Sequence, residues 1–473
     1  MSDEQGPREG PSDAAEATEV PEGDLTLMEN LRLLWGSSRG YWAVNIVNFG
    51  DGIGYFGVLN LLVLFLGQDV GMGTASAHIA VSSFTGIVTV GMFLGGGFVS
   101  DWLGVRRALT LALGMVLIGR VILVLAPGLG EIGSAVAGAW TSLVVMGIAE
   151  AIIQPALYAG VKEYSDKRTA TMGYAIIYAV MNLGIVVESL MSPLVRDVSR
   201  EWEGTVGNPA GGISGMYWVL IAGTGLLLAL HLVLFTKKVE ERDRIVEEPS
   251  AEEEAHQAKS LWEKVKDAPV LDKRFLFFIF VLLPVRTLFA HQWLTMPEYI
   301  MRCFPAGVGE RYEWISAINP LIIVIGVPLI AAWTRKVNII TMMIIGTLIS
   351  ALSTSLLLPE PALALLVAYV VCFSLGEAAW SSRFLEYVAG LAPAGRVGAY
   401  MGVATLPWFL AKATTGWYSG AVLDRFVPVD GVQDPSTMWL IYGAVALISP
   451  IGLILARRWV EGGVHQQPEQ EAA

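Results

Sequence analysis

The stretch Gly97-Phe98-Val99-Ser100-Asp101-Trp102-Leu103-Gly104-Val105-Arg106-Arg107 joins two apolar runs, 75–100 and 108–127, each of membrane-crossing length. Runs of about 18 or more apolar residues are candidate spans. The join is short, so the chain turns straight back. Gly97 lets two helices approach closely, Asp101 can accept hydrogen bonds from a helix N-terminus, and Arg106 and Arg107 keep the turn on one side of the bilayer. Any short basic turn would explain the arginines, but not the spacing of Gly97, Asp101 and Gly104.

Outward from this hairpin, further apolar runs lie at 41–67, 133–159, 169–195 and 213–236. After a polar gap come 274–301, 314–334, 337–358, 362–389, 397–423 and 437–456. Backbone groups in hydrocarbon must pair within their own segment, so spans of this length are helices. Apolar residues make up 54% of the chain and charged residues 16%, a balance unsuited to a soluble protein. The reading is an all-α polytopic membrane protein with about twelve transmembrane helices.

The net charge of −12 sits largely in Met1–Asp24 and Glu240–Glu254, both read as solvated segments. No basic-aromatic surface suggests nucleic acid, and no Gly-rich loop with a following Lys-Ser or Lys-Thr suggests ATP. No cofactor is implied. No metal set or nucleophile-base pair is visible, and Cys303 and Cys372, far apart in sequence, receive no role. The N-terminus lacks the basic start of a cleavable signal, so the first span is expected to direct insertion.

Arg106 and Arg107, then Lys162, Lys167 and Arg168, Lys237 and Lys238, Arg335 and Lys336, and Arg457 and Arg458 all fall in joins of one parity. Lys and Arg concentrate on the cytoplasmic side. Both termini are therefore expected in the cytoplasm, with the chain in the cytoplasmic (inner) membrane and lipid as its surroundings. Five regions follow: a tail and pre-helix at 1–37, six helices at 38–236, a linker at 237–273, six helices at 274–457 and a tail at 458–473. Ser260-Leu261-Trp262-Glu263-Lys264-Val265 opens with a capping box and reads as a short amphipathic helix on the membrane surface, or else as a partner-binding segment.

The spacing of Gly97, Asp101, Gly104, Arg106 and Arg107 resembles the loop signature of the major facilitator superfamily, with Trp102 in place of a basic residue. That resemblance implies two six-helix bundles and a gating role for these five residues. Within the superfamily, Tyr178-Ala179-Val180-Met181-Asn182-Leu183-Gly184 resembles the Phe-Tyr-x-x-x-Asn-x-Gly pattern of proton-dependent oligopeptide transporters. Asn319-Pro320, Gly376-Glu377, Leu391-Ala392-Pro393, Gly147, Pro155 and Gln292 fall in register with the same family. The resemblance implies that Asn182, Asn319 and Glu377 hold a substrate's amino end. Departures cluster elsewhere. The family's Glu-x-x-Glu-Arg stretch is Asn48-Phe49-Gly50-Asp51-Gly52 here, its fourth-helix Lys is Gln154, and a first-helix basic residue is Leu59. The family's route for protons and its grip on a substrate carboxylate are both altered.

Read from the residues themselves, polar stripes recur at helical spacing. They are Asn48, Asp51 and Tyr55; Gly147, Glu150, Gln154 and Tyr158; Tyr174, Tyr178 and Asn182; and Thr405, Trp408, Lys412, Thr415 and Ser419. Charged groups within a span mark candidate sites. Glu377, with Trp380 on its face, is the first candidate to bind an ammonium or carry a proton, against a permanent pairing with Lys412 or Arg286. Lys412 and Arg286 form either a new anion-binding pole or partners for Glu150 or Glu377. Asp51, Glu150 and Glu377 are the candidate proton carriers, with helix-packing hydrogen bonds as the other reading of the first two. His291 either titrates near neutrality or is a hydrogen-bonded lining residue. Arg120 and Glu188 read as structural, near helix ends. The candidate substrate contacts are Glu377, Asn182, Asn319, Tyr55, Tyr178, Gln154, Gln292, Trp380, Trp408 and Lys412.

The expected function is secondary transport of a small amine-bearing solute, a short peptide or related metabolite, by alternating access with protons as the coupling ion. A drug or metabolite exporter of the same fold is the alternative within transport. A receptor or scaffold that binds without transporting is the alternative outside it, and a membrane enzyme has no residues to recommend it.

Overall fold

The computed structural model describes residues 36–462 except 93–96, 165–166, 245–270, 335, 392–399, 401–402 and 405. The expected linker helix at 260–265, Arg335, Ala392-Pro393 and Thr405 lie outside the described residues, as do the side chains of Asp101 and Tyr174.

Among the described residues, twelve long helical segments follow one another without a strand. They are α1 (Arg39–Gln68), α2 (Thr74–Gly91), α3 (Val105–Leu125), α4 (Ile132–Tyr164), α5 (Lys167–Glu203), α6 (Ile213–Leu234), α7 (Lys273–Leu294), α8 (Tyr312–Ile330), α9 (Ile339–Leu357), α10 (Leu363–Leu391), α11 (Leu406–Phe426) and α12 (Pro435–Glu461). Ten are long and apolar enough to cross a membrane. Of the other two, α2 is rich in Ser and Thr and α11 carries Lys412, Asp424 and Arg425, and they pack on each other.

Polar caps start several helices. Ser38 accepts from the Tyr41 amide, Asp272 from Arg274 and Phe275, Asn338 from Thr341 and Asp434 from Thr437, each using a donor the helix itself leaves free. The seventh apolar run, expected unbroken over 274–301, is interrupted at Leu282 and Thr295, each shortly before a proline. The amide of Val285 beside the first break donates to Ser449 Oγ at 2.9 Å, so the freed backbone is satisfied by α12. The fifth helix extends to Glu203, well past the expected 195, because Arg196 and Arg200 find buried partners.

α1–α6 pack as one set and α7–α12 as another. At the end where the linker leaves, each set has its own apolar core. Tyr41, Val105, Ile153 and Phe235 belong to one, and Phe275, Phe278, Tyr387 and Leu453 to the other. At the opposite end a single core runs through both sets, from Phe65 and Phe84 to Leu294, Tyr369 and Trp439. The described polar contacts between the sets lie at this closed end. Ser82 Oγ donates to Lys412 O at 2.8 Å and accepts from the Gly416 amide at 2.8 Å, and His78 Nδ1 lies 2.7 Å from Ser419 Oγ. Gly416 permits this approach, since any Cβ would collide with Ser82 and the His78 carbonyl.

The signature stretch forms a short helix, Gly97–Leu103, that turns into α3 at Gly104, whose φ of 76° favours glycine. Arg106 pairs with Glu240 at 2.8 Å, in the first turn of the linker, while Arg107 is exposed.

Candidate functional site

In the first bundle, Asp51 on α1 accepts from Gln154 Nε2 at 3.1 Å and lies within hydrogen-bonding reach of the Glu150 carboxyl, both on α4. The Arg120 guanidinium from α3 acts on both carboxyl groups and donates to Thr224 on α6, whose hydroxyl passes the chain on to Leu220 O at 2.7 Å. All three charged groups are buried. Arg120, expected as a structural residue near a helix end or off the main stripes, is thus the cation beside the Asp51–Glu150 pair. Its place three-quarters along α3 was obscured by reading burial from distance to the span end. As the one cation in the third span, it carried the signal.

Asn48, on the same stripe, donates to Ile177 O at 2.5 Å and so fastens α1 to α5. Gly52, where the resembled family has an Arg, lies against α5 so closely that a Cβ would come 2.5 Å from Met181 O. No side chain fits there. Asn182 donates to the Tyr178 carbonyl one turn back at 2.9 Å.

In the second bundle, Glu377 on α10 accepts from Asn319 Nδ2 at 2.8 Å, and the same amide donates to Ser374 Oγ at 3.0 Å. Among the described residues Glu377 has no ion pair within 4 Å. The alternative of a permanent bridge to Lys412 or Arg286 is therefore not what the geometry presents. Arg286 on α7 instead lies over Phe384 at 4.6 Å and Trp380 at 5.0 Å, within the field of Glu377 and of Tyr178 on the first bundle. Tyr178 faces the same carboxylate and is partly exposed.

Lys412 occupies a third setting. Its Nζ lies 3.5 Å from the ring centre of Trp408, 4.8 Å from Trp293, 5.6 Å from Tyr55, 5.7 Å from Phe56 and 6.0 Å from Phe409, and it makes no hydrogen bond. Tyr55 and Trp408, expected as substrate contacts, are walls of this cage. Thr85, Leu59 and Val81 line a small cavity beside it. His291 stacks on Tyr442 at 3.8 Å and meets Thr295 Oγ1 at 2.7 Å, away from the other candidate proton carriers. Gln292 donates to Tyr369 Oη at 3.1 Å.

A fourth group went unnoticed in the sequence. Arg196 and Glu313, both fully buried, form an ion pair between α5 and α8, with Ser192 donating to Glu313 at 3.1 Å. Beside them Glu188 accepts from Asn60 at 3.0 Å, and Tyr312 donates to Asn60 O at 2.5 Å. Arg196 and Glu313 lay one residue outside the apolar runs 169–195 and 314–334 and so read as loop charges. Glu188 is buried at the seam of the two bundles rather than near a helix end.

The sequence profile described as Major Facilitator Superfamily matches residues 44–301, just over half of the chain. A curated relative, Protein NRT1/PTR FAMILY 5.11 of Arabidopsis thaliana, is 30% identical over 112 residues. That match covers 24% of this chain and only about a fifth, 20%, of the relative's length. Two solved structures share the fold over nearly the whole chain. A POT family transporter in complex with 5-aminolevulinic acid aligns with a TM-score of 0.68 at 17% identity, covering 90% of this chain and 97% of that one. A mutant form of the peptide transporter POT in complex with alafosfalin aligns with a TM-score of 0.69 at 17% identity, covering 91% and 96%.

Proposed function

This chain belongs to the Major Facilitator Superfamily, and from that premise we propose that it is a proton-coupled secondary transporter of a small amine-bearing solute, such as a short peptide or related metabolite. The carrying observation is Glu377. A carboxylate held by Asn319 with no ion pair of its own, facing Tyr178 across the two bundles, is a site an ammonium can complete. The similarity to transporters solved with 5-aminolevulinic acid and alafosfalin supports the same class of cargo.

Alternating access follows from the two-sided packing. The shared core at one end must part and the separate cores at the other must meet for the central site to change sides. With basic joins on the cytoplasmic side of the inner membrane, the described state is closed outward and open inward. Asp51 and Glu150 carry the coupling proton, with Arg120 as counter-charge and Gln154 positioning Asp51. The pair of the signature residue Arg106 with Glu240 of the linker ties the linker to the turn before α3 and guides the inner gate.

Uptake of labelled dialanine into vesicles reconstituted with the protein tests this reading. An inward proton gradient is expected to drive accumulation, and Glu377→Gln is expected to abolish it. Binding without flux would point to a receptor instead, and flux indifferent to the gradient would remove proton coupling.

A further inference from the structure

Arg286 is only 7% exposed, and its Nε–H has no acceptor. Among the described residues it has no acid within 4 Å, although Glu377 lies close enough to act on it through space. Trp380 and Phe384 hold the guanidinium by their faces, and an aromatic face balances positive charge without supplying a hydrogen-bond acceptor. The fork is therefore fixed in direction with donors still to be used. Its geometry matches a carboxylate, which can take two parallel N–H bonds at once.

Among the described residues, the two other cations near the middle of the fold are placed differently. Arg120 is engaged by Thr224 and the Asp51–Glu150 pair, and Lys412, although it too lacks an acceptor, is walled by five aromatic rings at the closed end. Glu377 meanwhile is held by Asn319 and acts on Arg286 through space without closing an ion pair on it.

Resting on the amine reading of Glu377, we propose that Arg286 receives the solute's carboxylate. The cargo is then a compact zwitterion with both charged ends gripped by the second bundle, while Tyr178 approaches from the first. The aromatic floor of Trp380 and Phe384 under the acid end excludes water and strengthens that contact. Arg286 thereby takes over the acid-end role for which Gly52, Leu59 and Gln154 offer no cation.

Calorimetric binding to the full-length protein with dialanine, dialanine amide and N-acetyl-dialanine tests the assignment. The wild type should bind the free acid at least about tenfold tighter than the amide, the loss expected for one charge-assisted contact. Arg286→Gln should bring the acid down to the affinity of the amide while leaving the amide unchanged, which also shows that the variant is folded. Arg286→Lys should recover part of the difference. Equal binding of acid and amide by the wild type, with the acetylated form rejected, overturns the Arg286 assignment and leaves the amine reading standing. If the acetylated form binds as well as dialanine, or none of the three binds, the amine reading fails and this inference falls with it.

Discussion

The guanidinium of Arg196 and the carboxylate of Glu313 form an ion pair that joins α5 to α8 with neither side chain exposed. Arg196 also donates to the carbonyls of Gly211, at 3.0 Å, and Pro209, while one Glu313 oxygen has no partner. Removing one member of such a pair strands the other and costs about 3–5 kcal/mol, whereas replacing both by apolar groups is often close to neutral. Arg196→Met and Glu313→Leu are each expected to lower the thermal unfolding midpoint, and the double variant to recover most of the loss. Midpoints measured in detergent decide it, and simple additivity would mean the two residues act separately.

The carboxyl pair on α1 and α4 sets a second expectation. Asp51→Asn and Glu150→Gln each remove one carboxyl group of the proposed proton-carrying pair. Accumulation driven by a pH gradient should fall at least about tenfold, since a proton-transfer group of this kind commonly contributes 10²–10⁴-fold. Exchange of labelled for unlabelled solute, which needs no net proton movement, should persist. Loss of both activities together would make the pair structural.

The seam between α2 and α11 is held where Gly416 meets Ser82. Gly416→Val places a branched side chain against backbone and forces the closed end apart. A cysteine introduced at Thr85, beneath the seam, should then react faster with a membrane-impermeant thiol reagent added from the closed side. An unchanged rate would mean that the seam does not bar access to that depth.

Lys412 keeps an amine in an apolar cage with no hydrogen-bond acceptor, and leaving such a group unsatisfied costs about 1–3 kcal/mol. Lys412→Met fills the same volume without that cost. It should raise the unfolding midpoint and, by over-stabilising the closed end, slow solute turnover. A lower midpoint would show that the ring faces more than offset the burial.

Asp69, just past the end of α1, gives a pH signature. Burial and the charge of Glu203 push its carboxyl up to about 7, against the pull of Arg196. From about pH 4, where the unfolded chain releases this proton, to about pH 7, where the folded protein does, stability should fall as pH rises. Above that window the loss is constant. Asp69→Asn should flatten the midpoint's pH dependence there and raise the midpoint at neutral pH.

Apolar run lengths and the Gly97–Arg107 turn made twelve helices in two sets legible from the chain alone, because membrane burial leaves the backbone few options. Buried charges that make candidate sites were legible where the cue was a charge within an apolar run, as with Asp51, Glu150, Glu377 and Lys412. Which of them meet was not. Tyr55 shares a stripe with Asp51 but turns into the Lys412 cage, and His291 shares α7 with Arg286 but stacks on Tyr442. Those outcomes depend on how helices far apart in sequence rotate against one another. Arg196 and Glu313 were missed for a different reason: charges that neutralise each other extend a buried helix past the point where hydropathy alone would end it.

A single proton carried by Asp51 and Glu150, as proposed above, has an electrical consequence. With that proton in place, one carboxylate and the Arg120 guanidinium cancel, and this cluster carries no net charge. When the proton leaves, a full negative charge remains deep in the bilayer. A unit charge crossing the whole membrane potential exchanges about 2.3 kcal/mol per 100 mV. The protonated cluster then moves no net charge as the carrier reorients, whereas the deprotonated one moves one charge whenever it returns. Turnover would then register as a current, and its voltage dependence would belong to the return of the empty carrier.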